Sequence, residues 1–190
     1  MPPRDDHESG MKPFTRKATV IWLGTHQRGK GAITTPSGVL KKTSYGFGPH
    51  LKPGRSTNPP ELIAAAHAGS FSMALAYELG HAGYSPAQID TTATVTMEEV
   101  AAGWTMTQIH LDVIATVPTA AEGDFIDAAL RAKSSCPISR LLGANISMCA
   151  KLTRHAAPAG ASPQPSAGSF QASVKSKQKG KARMSLNIRP

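Results

Sequence analysis

The feature that most constrains the fold is one long, alanine-rich helix predicted near the middle of the chain. Asn58 can cap it, Pro59 suits the first helical position, and Glu61 completes a capping-box arrangement. The helix is predicted to run from Pro59 to about His81 and to stop before Gly83. Because the helix is apolar nearly all round, we expect it to be central and buried.

The segments on either side of this helix predict an α+β fold, because the strict strand–helix alternation of a doubly wound sheet is missing. A Pro36-Ser37-Gly38 turn joins two of the strands that precede the helix. In the strand Thr105–Val117, apolar residues alternate with polar ones such as His110 and Asp112, which predicts one buried face and one wet face. The predicted elements besides the long helix are strands over Phe14–Leu23, Gly31–Thr35, Val39–Tyr45, Asp90–Val100, Thr105–Val117 and Ala144–Lys151, and helices over Glu122–Lys133 and Pro137–Leu142.

The positive charge of the chain is concentrated at its C-terminal end. The 190 residues include 21 Lys and Arg against 12 Asp and Glu, a net charge of +9. Residues 153–190 hold much of this excess and are rich in Pro, Ser, Ala and Lys, so we predict a disordered basic tail. Residues 1–11 are predicted to be disordered as well, which leaves 12–152 as the folded domain. The tail has few aromatic residues for base stacking, so a solvated tail is favoured, and nucleic acid is expected to bind at most weakly through the basic tail.

Cysteine and hydropathy counts exclude several classes of protein. Two cysteines cannot build a disulfide scaffold or a four-thiolate zinc site. No stretch approaches 18 uncharged apolar residues, which predicts that the chain does not cross a membrane. The N-terminal residues contain no apolar signal-peptide core, so we expect a cytoplasmic location.

Cys136 is the strongest candidate for thiol chemistry on physical grounds. It occupies a predicted helix N-cap, with Pro137 next to it, where backbone N–H groups and the helix dipole favour a thiolate and lower the pKa of the thiol. The alternative is a small, partly buried cap residue without a redox role. Cys149 lies in the last predicted strand, where a small core residue is expected, and no recognised spacing supports a Cys136–Cys149 disulfide.

Two further groups have both a structural and a functional interpretation. His67 and Ser70 share one face of the long helix, and a hydrolase would use the serine as nucleophile and the histidine as its base. No G-x-S-x-G elbow is present, so a packed histidine beside a small polar residue is favoured. Arg28 lies in a tight glycine-rich turn, where it is either a partner for an anion or thiolate or an exposed turn arginine. The spacing of the remaining histidines predicts no metal site.

Four separated segments occur in a characteristic order: Arg28-Gly-Lys-Gly, SGVLKKTSYGFGPH, TNPPELIAAAHAGSFSMALAYELGHAGY and CPISRLLGANISM. Together they resemble the OsmC/Ohr family of thiol-dependent peroxidases, over roughly Lys12 to Leu152. The Y-G-F segment and the A-A-A-H-A helix are more similar to the OsmC branch. The resemblance implies an intertwined α+β homodimer, in which six-stranded sheets enclose two central helices and the active sites lie where the subunits meet.

The resemblance also implies four site positions, two of which are changed in this chain. Cys136, within C-P-I-S, falls on the resolving cysteine, and Arg28 falls on the arginine that pairs with the peroxidatic thiolate. Ser70 falls on the peroxidatic cysteine itself. The glutamate that holds the arginine falls on Pro60, and Glu61 matches a second acid in the T-N-P-E-E-L form of the segment.

Ser70 determines the functional hypothesis, because the family's chemistry requires sulfur at that position. A thiolate attacks the O–O bond to give a sulfenic acid, and the second cysteine converts it to a disulfide. A serine hydroxyl is not appreciably ionised at neutral pH and cannot take this part. Three explanations stay open: an engineered Cys→Ser change, a natural loss, or action of Cys136 alone with an external thiol.

We therefore expect an OsmC-like peroxide-defence protein, directed at organic hydroperoxides and hydrogen peroxide, whose activity is impaired by Ser70. The alternative is a non-catalytic OsmC-fold protein that binds a hydrophobic ligand at the dimer interface. The implied partners are a second copy of the chain, a peroxide or hydrophobic small molecule, and an external thiol or dithiol reductant. No metal or other cofactor is implied.

Overall fold

The computed structural model describes residues 14–25, 28–46 and 56–154, and the backbone of residues 184–186. The chain divides into two compact units, Met1–Pro59 and Pro60–Pro190. The predicted disordered segment 1–11 lies outside the described residues, as does nearly all of the predicted tail.

The first unit contains a four-stranded sheet in which the strands follow chain order. The first three strands are antiparallel neighbours, and the short fourth strand, which the sequence does not predict, runs parallel to the third. The third strand is shorter than predicted, because Gly38 and Lys42 adopt positive φ angles of 77° and 51° and keep the connection out of the ladder. The strands are β1 Thr19–Leu23, β2 Lys30–Thr34, β3 Thr43–Tyr45 and β4 Ser56–Thr57.

The second unit combines a four-stranded sheet with three helices. Strands β5 and β6 form a long antiparallel hairpin, while β6 and β7 are parallel and are connected by α2 and α3. Strand β8 pairs with β7 and falls within the predicted tail. The elements are α1 Pro59–His81, β5 Gln88–Val100, β6 Gly103–Thr116, α2 Glu122–Ser135, α3 Pro137–Leu141, β7 Asn145–Thr153 and β8 Met184–Leu186.

The core of the second unit lies between one face of this sheet and the helices. The predicted alternation in β6 is confirmed: the residues from Ile109 to Val117 at every second position are buried, while Asp112 on the opposite face is exposed. The same period places Ile146 and Met148 of β7 in the core. The helices contribute Phe71, Leu75, Leu79, Phe125, Ala128, Ala129 and Ala132.

Helix α1 has the predicted bounds, but its predicted burial is wrong for the chain taken alone. On one side of the helix, Phe71, Leu75 and Leu79 are buried at helical spacing. On the other side, Met73 is 76% exposed and Tyr77 is 64% exposed. The helix is apolar nearly all round, yet the described part of a single chain covers only one side of it.

The α+β class is confirmed, and within the described residues each of the two sheets has four strands. The six-stranded sheets and the intertwined dimer stay predictions. In the described residues, no helix is long and apolar enough to cross a lipid bilayer.

Candidate functional site

The candidate site begins at the break between α2 and α3, where Cys136 ends one helix and starts the next. Its backbone N–H donates to the carbonyl of Ala132, and its own carbonyl accepts from the N–H of Arg140, at 2.9 and 3.0 Å. Pro137 follows as the first residue of α3, which confirms the predicted N-cap position. Cys136 is 0% exposed, so the break in the helix places its thiol inside the core.

The thiol of Cys136 is directed at α1. Its Sγ donates a hydrogen bond to Oγ of Ser70 over 3.2 Å, which joins residues 66 positions apart in the chain. Ser70 is half-buried, next to the fully buried Phe71 that packs this stretch of α1 into the core. Two positions singled out in the sequence are therefore in contact.

The surroundings of Cys136 act on its pKa in opposite directions. Burial raises the pKa of the thiol, since a thiolate is poorly solvated in the core. Hydrogen bonds from the Ser70 hydroxyl, from the backbone and hydroxyl of Ser139 and from the backbone of Ile138 stabilise the thiolate. These donors outweigh burial, and the net result is a pKa below the usual value for cysteine.

His67 completes the polar cluster around the thiol. Its Nε2 lies 2.8 Å from Oγ of Ser139, and it is 0% exposed. Its Nδ1 has no hydrogen-bond partner in the described part of the chain, and burial lowers the pKa of the ring. The imidazole therefore bonds Ser139 rather than Ser70, so the serine–histidine pair of a hydrolase is not formed.

Ser139 is a site residue that sequence reasoning missed. It lies in the first turn of α3, three residues after the N-cap, where a side chain can reach back toward the cap residue. That spacing is visible in the sequence and was the available signal. Its bond to His67, 72 positions away, depends on tertiary packing and has no local signal.

The two remaining predicted site residues are Arg28 and Glu61, each described here within its own unit. Arg28 is exposed in the turn between β1 and β2, within the first unit. This turn requires glycine at position 29, because a Cβ there would lie 2.5 Å from the carbonyl oxygen of Thr25 and from the ring of Trp22. Glu61 is exposed in the first turn of α1. The pairing of Arg28 with a thiolate and its support by Glu61 stay predictions.

Beside Cys136, an open groove of about 800 Å³ runs between the end of α2 and the connection from α3 to β7. Ser139 belongs both to the lining of this groove and to the cluster around the thiol. Among the described residues, the lining contains two basic side chains and no acidic one. Its members are Leu130, Lys133, Ser134, Ser139, Arg140, Leu142, Gly143, Ala144, Asn145 and Ile146.

Cys149 does not take part in this site, and the prediction that it is a core residue is wrong. It is half-buried on the face of β7 that points away from the core, opposite Asp112 of β6. The strand period fixes this, since the neighbouring Met148 occupies the core face. On the same outer face, Nδ1 of His110 lies 2.7 Å from Oγ of Ser147, and its Nε2 lies 3.4 Å from Oδ1 of Asp112. Both cysteines are free thiols.

Comparison with known proteins identifies the group to which the chain belongs. The profile of the family described as OsmC-like protein matches residues 52–150. Peroxiredoxin OsmC of Escherichia coli K12 is 44% identical over 133 residues, which cover 70% of this chain and 93% of that protein.

Solved structures agree in fold. An OsmC-like protein of Vibrio cholerae superposes with a TM-score of 0.59 at 13% identity and covers 74% of this chain and 100% of its own. An organic hydroperoxide resistance protein of Elizabethkingia anophelis gives a TM-score of 0.56 at 20% identity, with coverages of 76% and 99%. With the family profile and the 44% identical relative, these matches show that the chain belongs to the OsmC family.

Proposed function

We propose that this protein acts in peroxide defence, that Ser70 replaces the peroxidatic cysteine, and that Cys136 carries the thiol chemistry that remains. The name of its E. coli relative, a peroxiredoxin, supports the peroxide assignment. The observation that carries the proposal is the 3.2 Å contact between Sγ of Cys136 and Oγ of Ser70. Two cysteines that form a disulfide must bring their sulfur atoms to within about 2.05 Å of each other. The side chains at positions 70 and 136 are already neighbours.

The two-cysteine cycle cannot run with oxygen in place of the first sulfur. In that cycle a thiolate attacks the O–O bond, which releases an alcohol and leaves a sulfenic acid, and the second thiol then expels water to form the disulfide. Serine forms neither the thiolate nor the sulfenic acid. We therefore expect Ser70 to reduce turnover strongly.

Cys136 retains the features that a reacting thiol needs. Its lowered pKa increases the thiolate fraction at neutral pH, and Ser70 and Ser139 supply hydroxyl donors to the sulfur. In the one-cysteine reaction, the thiolate of Cys136 takes the distal oxygen of a hydroperoxide and becomes a sulfenic acid, while the departing alkoxide takes up a proton. An external thiol or dithiol then returns the sulfur to the reduced state.

The exposed side of α1 supports the proposed homodimer. The side chains of Ala66, Met73 and Tyr77 lie along one stripe at helical spacing and are exposed in the single chain. Large apolar side chains in one such stripe favour a protein contact, and a stable interface buries about 1,600 Å² in total. A second copy of α1 would cover the stripe and give the helix the central place that its composition predicts.

Light scattering after size exclusion tests the dimer. We expect the unmodified chain to be a dimer and the Met73→Glu/Tyr77→Glu variant to be a monomer, because two carboxylates would be buried without partners. Leu141→Glu serves as a control, since Leu141 is equally exposed but lies on α3. A monomeric unmodified chain, or a dimer untouched by the α1 changes, would contradict the proposal.

Consumption of cumene hydroperoxide with a dithiol reductant tests the peroxidase proposal. We expect slow turnover in the unmodified chain, none in Cys136→Ser, and a large increase in Ser70→Cys. Cys149→Ser should behave as the unmodified chain, because Cys149 lies on the opposite face of the sheet. Turnover that survives Cys136→Ser would refute the role of Cys136. A chain that stays inert even as Ser70→Cys would favour the non-catalytic, ligand-binding alternative.

A further inference from the structure

The groove beside Cys136 carries two positive charges that have no ionic partner within it. Lys133 and Arg140 both line it, and neither forms an ion pair with a carboxylate of the described residues. By contrast, Arg131, which lies on α2 with Lys133, is paired with Glu78 through Nε and Oε2 at 3.0 Å. Lys133 is half-buried, and burial lowers the pKa of its ammonium group. An anion in the groove would relieve this unfavourable desolvation.

The rest of the lining limits what kind of anion fits. Leu130, Leu142 and Ile146 provide apolar walls, and Ser134 and Asn145 add neutral hydrogen-bonding groups. The groove therefore suits a small organic acid with some apolar surface better than a bare inorganic ion. Its volume of about 800 Å³ is in the range of small-molecule sites.

The position of Ser139 connects the groove to the thiol. Ser139 lines the groove, and its hydroxyl is hydrogen-bonded toward both Cys136 and His67. Cys136 is fully buried and is not among the described residues that line the groove, so Ser139 is the lining residue that connects the groove to the polar cluster around the sulfur.

We propose that this groove binds the reductant of the site, a small thiol that carries a carboxylate, with the carboxylate held by Lys133 and Arg140. This inference rests on the proposed function, since it supplies the step that returns oxidised Cys136 to its thiol. Charge complementarity favours an anionic thiol over a neutral or cationic one.

The reaction balances without any further participant. The sulfenic acid of Cys136 and the first thiol condense to a mixed disulfide, and the hydroxyl leaves as water with the thiol's proton. A second thiolate attacks the reductant's sulfur in this mixed disulfide. The S–S bond breaks, the reductant leaves as its own disulfide, and Cys136 regains a thiolate and then a proton.

The experiment compares three small thiols on one oxidised site. In the full chain with Cys149→Ser, Cys136 is oxidised by one equivalent of cumene hydroperoxide, and the sulfenic acid is verified by dimedone trapping. The return of the free thiol is then followed by mass spectrometry with 3-mercaptopropionate, 2-mercaptoethanol and cysteamine at matched thiolate concentrations. We expect the free thiol to return fastest with the anionic thiol, more slowly with the neutral one and slowest with the cationic one. The anionic thiol should be about 2- to 30-fold faster than the neutral one, as two partly exposed ion pairs allow.

Matched variants identify the charges responsible. Lys133→Met/Arg140→Met should bring the ratio of the rates with 3-mercaptopropionate and 2-mercaptoethanol close to one. Lys151→Met, which removes an exposed cation on β7 outside the groove, should keep the preference. A preference that is absent, or that the double variant retains, would overturn the proposal.

A second measurement does not depend on peroxide chemistry. Propionate, which has the carboxylate but no thiol, should protect Lys133 of the reduced full chain from acetylation and should leave Lys151 unprotected. If dimedone traps nothing but propionate protects Lys133, the thiol step of the proposed function fails while the anion site stands. If dimedone traps Cys136 and Lys133 is not protected, the groove inference is the one that fails.

Discussion

A disulfide between positions 70 and 136 is the sharpest consequence of the structure. In the Ser70→Cys variant, the introduced thiol replaces an oxygen that lies 3.2 Å from Sγ of Cys136. A disulfide requires about 2.05 Å, so closure by roughly 1 Å is needed, within the reach of side-chain rotation at both ends. One equivalent of an organic hydroperoxide should therefore oxidise one of the two thiols to a sulfenic acid with release of an alcohol, and the other thiol should then form the disulfide with release of water.

The stabilisation expected from this bond follows from the loop that it closes. The two positions are 66 apart in the chain, and the chain-entropy relation gives about 4 kcal/mol for a loop of that length. For a chain of this size, that corresponds to an increase in Tm of roughly 8–16 °C relative to the reduced variant. Thermal denaturation monitored by circular dichroism, with and without peroxide treatment, measures the difference, and peptide mapping locates the bond.

A neighbouring serine provides the matched control. Ser72 lies two residues further along α1 and bonds Thr91 of β5 at 2.8 Å, so it points away from Cys136. Ser72→Cys should therefore form no disulfide with Cys136 and gain no stability on oxidation. If Ser70→Cys also failed to form the bond, or formed it with no rise in Tm, the geometry on which the proposed function rests would be refuted.

Three other perturbations have defined outcomes. In the Ser70→Cys background, Arg28→Met should lower kcat/KM for cumene hydroperoxide about 10- to 100-fold through loss of a charge-assisted bond to the thiolate, and an unchanged value would exclude that pairing. Gly29→Ala should lower the free energy of unfolding in urea by about 1–3 kcal/mol, because its Cβ would lie 2.5 Å from a backbone oxygen. Gly123 has open space around it, so Gly123→Ala should not lower the stability of the chain. The pKa of His67 is lower in the folded chain than its ordinary 6.5, so the unfolded chain binds more protons below about pH 7. The free energy of unfolding, measured with urea, should therefore fall as the pH drops through 6.5. His67→Gln should show a smaller fall.

Local signals in the sequence were sufficient for several parts of the fold. The bounds of α1 follow from Pro59 at its first position and from Gly83, whose φ of 82° ends the helix, and both were predictable. The alternation in β6 fixed its buried face, and Pro137 marked Cys136 as an N-cap. Each of these depends on residues within a few positions of one another.

The contacts that give the site its chemistry depend on packing between distant segments. The bonds of Ser139 to His67 and of Cys136 to Ser70 join α3 and its cap to α1, across 72 and 66 positions. The position of Cys149 was mispredicted because its small, weakly polar side chain was weighed without the alternation of β7, in which Cys149 shares a face with Ser147 and Lys151. The groove beside Lys133 likewise appears only when the end of α2 is placed against the start of β7.

The unsatisfied nitrogen of His67 favours a functional role for the whole cluster. Nδ1 is buried without a partner in the described residues, and an orphaned buried polar atom costs about 1–3 kcal/mol. A leucine or methionine would fill the same core position without that penalty, so packing alone does not explain a histidine there. The histidine does provide the Nε2 contact that orients the Ser139 hydroxyl, and Ser139 in turn helps to stabilise the Cys136 thiolate. A buried histidine that carries this penalty and also contacts Ser139 fits the proposed reacting thiol better than a cluster that only fills space.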